Sequence, residues 1–207
     1  YALESGDPLS DFDFIGFTLQ YELSFTNVLN MLKLGNIPIC SKDRMNLGLK
    51  NIVVAGGPCV CNPEPIADFI DIFFVGEGEE VDMEVMELYR QCRDENVSRE
   101  EFLIRVSKIK GCYVPSLYDV TYNEDGTVKA VTPNHGAPKK IEKRLMMNMD
   151  ESYYPDNFVV PNTEIVHDRA MQEIFRGCIR GCRFCQAGFL YRPVREKSPE
   201  TINKQCH

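Results

Sequence analysis

The stretch NIVVAGGP, residues 51–58, decides the fold class together with its counterpart IDIFFVGEGE at residues 70–79. In each, an apolar and largely β-branched or aromatic run of strand length ends in a glycine-rich turn. A third such run, FDFIGFTL, precedes them at residues 12–19. Strands that are apolar on both faces are typical of a parallel sheet covered by helices on both sides. We therefore predict an α/β fold.

Amphipathic helices are predicted between and after these strands. The first covers residues 21–34, and its apolar stripe is Phe25, Val28, Leu29 and Leu32. The helix after residue 79 has the stripe Val81, Val85, Leu88, Tyr89 and Cys92. Ser98 and Glu101 have the spacing of a capping box at the start of a further helix. We predict that residues 1–112 form one flavodoxin-like domain.

Residues 113–163 are predicted to be a β-hairpin followed by a linker. The hairpin strands are 118–122 and 127–131, with the turn at Asp125-Gly126. From residue 133 to 161 prolines are frequent and periodic apolar residues are few, which favours a linker over the surface. The basic run 139–144 (KKIEKR) is interpreted as a solvated face rather than an RNA contact.

Composition excludes several classes of protein. Hydrophobic residues make up 43% and charged residues 26%, as in globular proteins, and the net charge of -8 argues against a protein-wide nucleic-acid footprint. No apolar run approaches the roughly 18 residues of a membrane span, and no secretory signal is visible. We expect a cytoplasmic protein without a membrane partner. Both ends look cut, so we expect an internal piece of a longer protein.

Cysteine usage points to metal or redox chemistry. Nine cysteines, an odd number, include three within eight residues, which argues against a disulfide framework. Those three lie in RGCIRGCRFC, residues 176–185, directly after the strand candidate MQEIF at residues 171–175. Gly177 and Gly181 stand where the loop must bend. The arginines at positions 176, 180 and 183 place positive charge beside the sulfurs, which favours the metal-binding thiolate.

Three kinds of site are compatible with cysteines in such a loop. Structural zinc needs four ligands, so it would have to recruit Cys206 or His207. A redox dithiol at Cys182 and Cys185 would leave Cys178 without a role. An iron–sulfur cluster normally has four thiolates, and three would leave one iron open to a substrate or cofactor. The iron–sulfur cluster fits best.

The cysteine spacing carries a family resemblance. Cys178-x-x-x-Cys182-x-Phe184-Cys185 resembles the Cys-x-x-x-Cys-x-aromatic-Cys signature of the radical S-adenosylmethionine (SAM) superfamily. The resemblance implies that these three cysteines hold a 4Fe–4S cluster whose fourth iron is chelated by SAM, and that Phe184 lies near the adenine. The plainer alternative for Phe184 is core packing. Residues 164–207 would then be the first strand and cluster loop of a β/α barrel.

The implied reaction is reductive cleavage of SAM to methionine and a 5′-deoxyadenosyl radical. The electron would come from a donor such as a flavodoxin or ferredoxin. The radical would then act on an unknown substrate, a small molecule or RNA. The alternative from another class is a non-enzymatic zinc or iron–sulfur scaffold module.

Three segments make the resemblance more specific, to one group within the superfamily. GFTLQYEL (16–23), RGCRFCQAG (180–188) and YRPVREKSPE (191–200) are similar to an uncharacterised bacterial group with an N-terminal cobalamin-binding-type domain. The resemblance makes cobalamin a further candidate cofactor, at a pocket edged by Gly56, Gly57, Gly76, Glu77 and Gly78. The plainer interpretation of these glycines is tight turns. The cobalt-ligating Asp-x-His-x-x-Gly motif is absent, and its usual place would lie before Tyr1.

Overall fold

The computed structural model of the chain describes residues 1–155, 157–167, 169 and 171–206. It divides into two compact units, Tyr1–Leu145 and Met146–His207. The functional divisions predicted from the sequence, 1–112, 113–163 and 164–207, stay predictions.

A four-stranded sheet forms the centre of the first unit. Its strands are β1 (Phe14–Thr18), β2 (Ile52–Gly56), β3 (Ile72–Phe74) and β4 (Cys112–Tyr113), in the order β1-β2-β3-β4. The first three pair in parallel, as predicted. β4 runs antiparallel to β3, so the expectation of a purely parallel sheet is wrong at this edge. The mixed α/β arrangement is consistent with the predicted flavodoxin-like class.

Four α-helices accompany this sheet among the described residues: α1 (Phe25–Leu34), α2 (Ser41–Asn46), α3 (Gly78–Asp94) and α4 (Arg99–Val106). Short 3-10 helices lie at Leu9–Asp11, Glu22–Ser24, Pro58–Cys61, Glu64–Phe69 and Pro115–Leu117. Half of the predicted capping box forms. The Ser98 hydroxyl accepts a hydrogen bond from the Glu101 amide at 3.2 Å, whereas the Glu101 carboxylate pairs with Arg105.

Both faces of the sheet are covered along β2 and β3, which explains why these strands are apolar, whereas β1 at the edge fully buries only Ile15. Alternate residues point to opposite faces. One face packs against α3 and α4 through Ile52, Val54, Ile72, Phe74, Val81, Val85 and Leu103. The other packs against α1 through Val53, Ala55, Phe73, Val28 and Leu32. The sheet is therefore the middle layer of the first unit.

The predicted hairpin is present as β5 (Tyr118–Tyr122) and β6 (Val128–Pro133). The pairing shifts by one residue between Thr121 and Tyr122. The turn is closed by the Asp125 carboxylate, which accepts from the Thr127 amide at 2.9 Å. The hydrogen bond from the Thr127 hydroxyl, followed by that from its amide, holds the pKa of Asp125 below its usual value.

Part of the expected surface linker pairs with the chain just after β3. Arg144 forms a parallel bridge with Gly76: its amide donates to the Val75 carbonyl at 2.8 Å, and its carbonyl accepts from the Glu77 amide at 3.1 Å. Its guanidinium lies 2.6 Å from carboxylate oxygens of Glu80 and Glu84. The interpretation of the basic run as a solvated face is therefore wrong for Arg144.

The second unit contains two short strands, β7 (Phe175–Arg176) and β8 (Arg195–Glu196), which pair antiparallel. Its helices are α5 (Ala187–Leu190), α6 (Pro199–Gln205) and the 3-10 helix Met149–Glu151. The strand predicted at 171–175 is thus wrong in its bounds, since β7 begins at its last residue. The described part of this unit contains no barrel.

Candidate functional site

Gly177 fixes the entry to the cysteine loop. It follows β7 directly and has a φ of 98°, in the region that favours glycine. A Cβ there would lie 2.7 Å from the carbonyl oxygens of both Tyr191 and Pro193. The loop therefore leaves the strand pressed against the segment that leads into β8, and only glycine fits this contact.

The other predicted bend residue has no such constraint. Gly181 has no positive φ, and a Cβ there would meet open space. Gly188 at the far end of the loop is the more constrained position, since its Cβ would lie 2.8 Å from the Arg180 carbonyl oxygen. Close backbone contacts at Gly177 and Gly188 therefore hold the two ends of the loop. Of these two glycines, only Gly177 is predicted from the sequence to lie at a bend.

All three predicted cluster ligands are free thiols with access to solvent. Cys178 and Cys185 are half-buried and Cys182 is exposed. The Cys185 amide donates to the Cys182 carbonyl at 3.1 Å, which closes a turn between these two residues. Of the five scattered cysteines, Cys59, Cys92 and Cys112 are buried, as expected of small apolar residues, whereas Cys40 is half-buried and Cys61 is exposed.

The donor chemistry of the loop suits an iron–sulfur cluster, but its geometry does not assemble one. Within the described ranges, no three cysteine, histidine, aspartate or glutamate side chains converge on a point where a metal ion would be held. The assignment of Cys178, Cys182 and Cys185 as ligands stays a prediction.

Two neighbours of the thiols differ from the sequence expectation. Arg176 is engaged with Glu173, at 2.7 Å from Nε to Oε1 and 3.0 Å from Nη2 to Oε2, so part of its charge is neutralised. Phe184 is 92% exposed, which eliminates core packing as its role in the described structure. An exposed phenylalanine beside solvent-accessible thiols is available to stack on a ligand.

A second candidate site lies where the parallel strands end. A cleft of about 390 Å³ is formed at the carboxyl ends of β1, β2 and β3, the edge at which ligands of α/β sheets bind. Its lining includes Gly56, Gly57, Gly76 and Gly78 from the two predicted glycine turns, with Phe17 and Phe74 as apolar walls. The Glu77 amide is used in the bond to Arg144.

The glycines of this cleft divide into two classes. At Gly57, with a φ of 98°, a Cβ would lie 2.8 Å from the Leu19 carbonyl oxygen; at Gly76, with a φ of 117°, it would overlap the backbone of Arg144. These two are required by close backbone packing. A Cβ at Gly56 would instead meet open space, so a ligand can approach the backbone there.

Asp82 is a cleft residue that the sequence did not reveal. It lies on the first turns of α3, and its carboxylate is 3.1 Å from the position of a Cβ on Gly78. Burial, followed by repulsion from Glu79, raises the pKa of Asp82 above its usual value. A carboxylate in an acidic helix start resembles a solvated residue in the sequence, and only the cleft distinguishes it.

Comparison with known families decides the family of the chain. Residues 1–115, more than half of its length, match the model of the family described as radical SAM proteins, N-terminal. The chain belongs to this radical SAM family. The resemblance that the cysteine spacing indicated is confirmed by a match over a different part of the chain.

This radical SAM chain is also similar to an uncharacterised protein of Methanocaldococcus jannaschii, with 32% identity over 197 residues. The alignment covers 94% of this chain and 34% of the relative, so the chain spans about a third of the length of the curated relative it matches. No solved structure matches the chain significantly. Across the described residues, no helix has the length and apolar character that crossing a bilayer requires.

Proposed function

We propose that the chain is part of a radical SAM enzyme in which Cys178, Cys182 and Cys185 hold a 4Fe–4S cluster. The observation that carries the proposal is three free, solvent-accessible thiols on one loop, at the superfamily spacing, in a chain of the radical SAM N-terminal family. When bound, the cluster and SAM supply reductive cleavage to a 5′-deoxyadenosyl radical. The substrate would be a small molecule or RNA, and the electron donor a flavodoxin or ferredoxin in the cytoplasm.

The chain's own residues would have limited roles in this reaction. The three cysteines would bind iron, and Gly177 would hold the loop against the segment before β8. The exposed ring of Phe184 would offer a face to the adenine. Because cofactors carry the radical chemistry themselves, the protein's contribution is binding, orientation and exclusion of water.

Anaerobic reconstitution with iron and sulfide should give a broad absorption at about 400 nm, as iron–sulfur clusters do. Cys178→Ala, Cys182→Ala and Cys185→Ala should each abolish it, since every ligand is needed to retain the cluster. Cys59→Ala and Cys92→Ala are the matched controls, because these buried thiols lie in the other unit. Absorption that survives in any of the three loop variants would contradict the ligand assignment.

We further propose that the glycine-edged cleft is a cobalamin-type pocket in the full-length protein. The support is its position at the carboxyl ends of the strands and the open backbone at Gly56. Gly57 is not a suitable probe, because its Cβ would collide with the Leu19 backbone and disturb the sheet itself.

Gly56→Val should reduce cobalamin retention in equilibrium dialysis by about tenfold or more, since its side chain would fill the space a ligand needs. The secondary structure should remain, because a Cβ at Gly56 meets no protein atom. Gly181→Val is the control, a glycine with equally open surroundings in the other unit. If the unaltered full-length protein retains no cobalamin, the pocket assignment is wrong.

A further inference from the structure

A basic cleft on the first unit has no role in the proposed reaction. It has a volume of about 380 Å³, within the range of small-molecule sites. Its walls are two segments, residues 107–112 at the end of α4 and residues 136–142 after the hairpin. Both belong to the unit Tyr1–Leu145, so the cleft does not depend on the position of the cysteine loop.

Three lysines line the cleft in a chain whose net charge is -8. They are Lys108, Lys110 and Lys140, and all three are exposed. Glu142 is the acidic residue of the lining, and it lies 3.4 Å from the Lys110 ammonium. Three cations against one carboxylate leave a local positive charge. A cleft focuses such a field more than a flat surface does.

Hydrogen bonds fix the position of one of these cations, the Lys108 ammonium. The Lys108 ammonium donates to the carbonyl of His135 at 3.2 Å and to the carbonyl of Gly136. Because both acceptors are neutral, they position the ammonium group without cancelling its charge. The bond from Lys108 to Gly136 also links the two walls of the cleft. Among the described residues, no carboxylate lies within ion-pair distance of the Lys140 ammonium, so its charge is available to a ligand.

The floor of the cleft is apolar and uncharged. Ile109 and Ile141 line it and pack onto the two halves of the core. Cys112 is buried beneath them, and burial raises the pKa of its thiol to about 12, so it carries no charge at neutral pH. The cleft therefore combines an apolar surface with a cationic rim.

We propose that this cleft binds a small phosphorylated molecule with an apolar moiety, of the kind represented by a nucleotide. Lysine ammonium groups bind phosphate as point charges, and lysines are the cations of this lining. The apolar floor would receive the ring. The volume suits a single nucleotide, and the overall negative charge of the chain opposes a long polyanion.

The test is calorimetric titration of the full chain with ADP, adenosine, inorganic phosphate and a ten-nucleotide single-stranded RNA. We expect ADP to bind with a Kd below about 1 mM. Adenosine and phosphate should each bind at least about tenfold more weakly, because each offers only one of the two complementary parts. Lys140→Glu should weaken ADP binding about tenfold or more, and Lys140→Gln should weaken it less.

Lys129→Glu is the matched control, because Lys129 is an exposed lysine on β6 outside the cleft lining. It should leave ADP affinity unchanged, and circular dichroism should show all variants folded. The proposal is overturned if ADP does not bind, if adenosine binds equally well, or if Lys140→Glu has no effect. RNA binding that depends on Lys140 while ADP fails to bind would assign the surface to nucleic acid and also overturn it.

Discussion

Asp71→Ala should lower the free energy of unfolding by about 3–5 kcal/mol, the cost of breaking a buried ion pair by removing one partner. The Asp71 carboxylate has no exposed surface and lies 3.0 Å from Arg44 and 2.9 Å from Arg99. It also accepts from the Val53 amide at 2.7 Å and from the Ser41 hydroxyl. Its loss would leave a buried cation and a buried strand amide without their acceptor.

Water cannot replace the Asp71 carboxylate as the partner of Arg44, because Arg44 is buried. Its side chain is fully buried, and its guanidinium donates to the carbonyls of Pro38, Ile39 and Phe69 as well as to Asp71. Burial lowers the pKa of Arg44, while Asp71 opposes that shift. Without Asp71 the desolvation remains and the compensating charge is gone.

Urea unfolding measures this effect, with Asp68→Ala as the control. Asp68 is an exposed acid three residues away, and a surface substitution of this kind changes stability by about 0.5 kcal/mol or less. In the double variant Arg44→Met/Asp71→Ala the loss should be smaller than the sum of the single losses, because Arg44, the fully buried one of the two cations that Asp71→Ala leaves unpaired, is removed. A loss below about 1 kcal/mol for Asp71→Ala would contradict the role of this network.

Gly76→Ala should lower the free energy of unfolding by about 3 kcal/mol, from a strained φ and two broken backbone hydrogen bonds. Its Cβ would overlap the carbonyl of Arg144 and lie 2.7 Å from that residue's amide nitrogen. The bonds from Arg144 to Val75 and from Glu77 to Arg144 could not both persist. The segment around Arg144 would then separate from the end of β3.

Gly56→Ala is the control for this substitution, since its Cβ meets open space at the neighbouring strand end. Limited trypsin digestion gives a second readout: cleavage after Lys143 or Arg144 should accelerate in Gly76→Ala and remain slow in Gly56→Ala. Equal stability and equal digestion of the two variants would show that the bridge does not hold this segment.

The sequence predicts the core of the first unit well because burial leaves a clear pattern. Strands β2 and β3 are buried at every residue except Gly56 and are therefore apolar, and glycine turns mark where they end, whereas β1 at the sheet edge fully buries only Ile15. The hairpin is equally visible, since Asn123–Gly126 has the residues that a tight turn requires. These elements depend on local residue types.

The missed features depend on contacts between distant residues. β4 has two residues, too few for any periodicity, and its direction is set by pairing with β3. The sequence of helix α2 is SKDRMN, which is typical of a solvated turn. Its Arg44 is nevertheless completely buried and pairs with Asp71, 27 residues further along the chain. The bridge between Gly76 and Arg144 and the basic cleft likewise join segments that the sequence separates.

For the cysteine loop the sequence is more informative than the structure. The spacing of its cysteines indicates a ligand set, whereas the described side chains do not converge on a metal position. The spacing of the thiols indicates which residues bind the metal, and it does so without any information on how the loop packs. An iron–sulfur cluster contributes the bonds that bring its ligands together, as metal binding and folding are coupled. Packing of the described residues alone therefore does not define the ligating arrangement.

Analysis of iron, acid-labile sulfide and zinc in the anaerobically purified chain tests the central proposal most directly. We expect about four irons and about four sulfides per chain after reconstitution, with zinc far below one equivalent. Cys182→Ala should lose both iron and sulfide, and Cys92→Ala should keep both. One equivalent of zinc with no sulfide would instead identify a structural metal module and contradict the assignment of a radical SAM cluster to this loop.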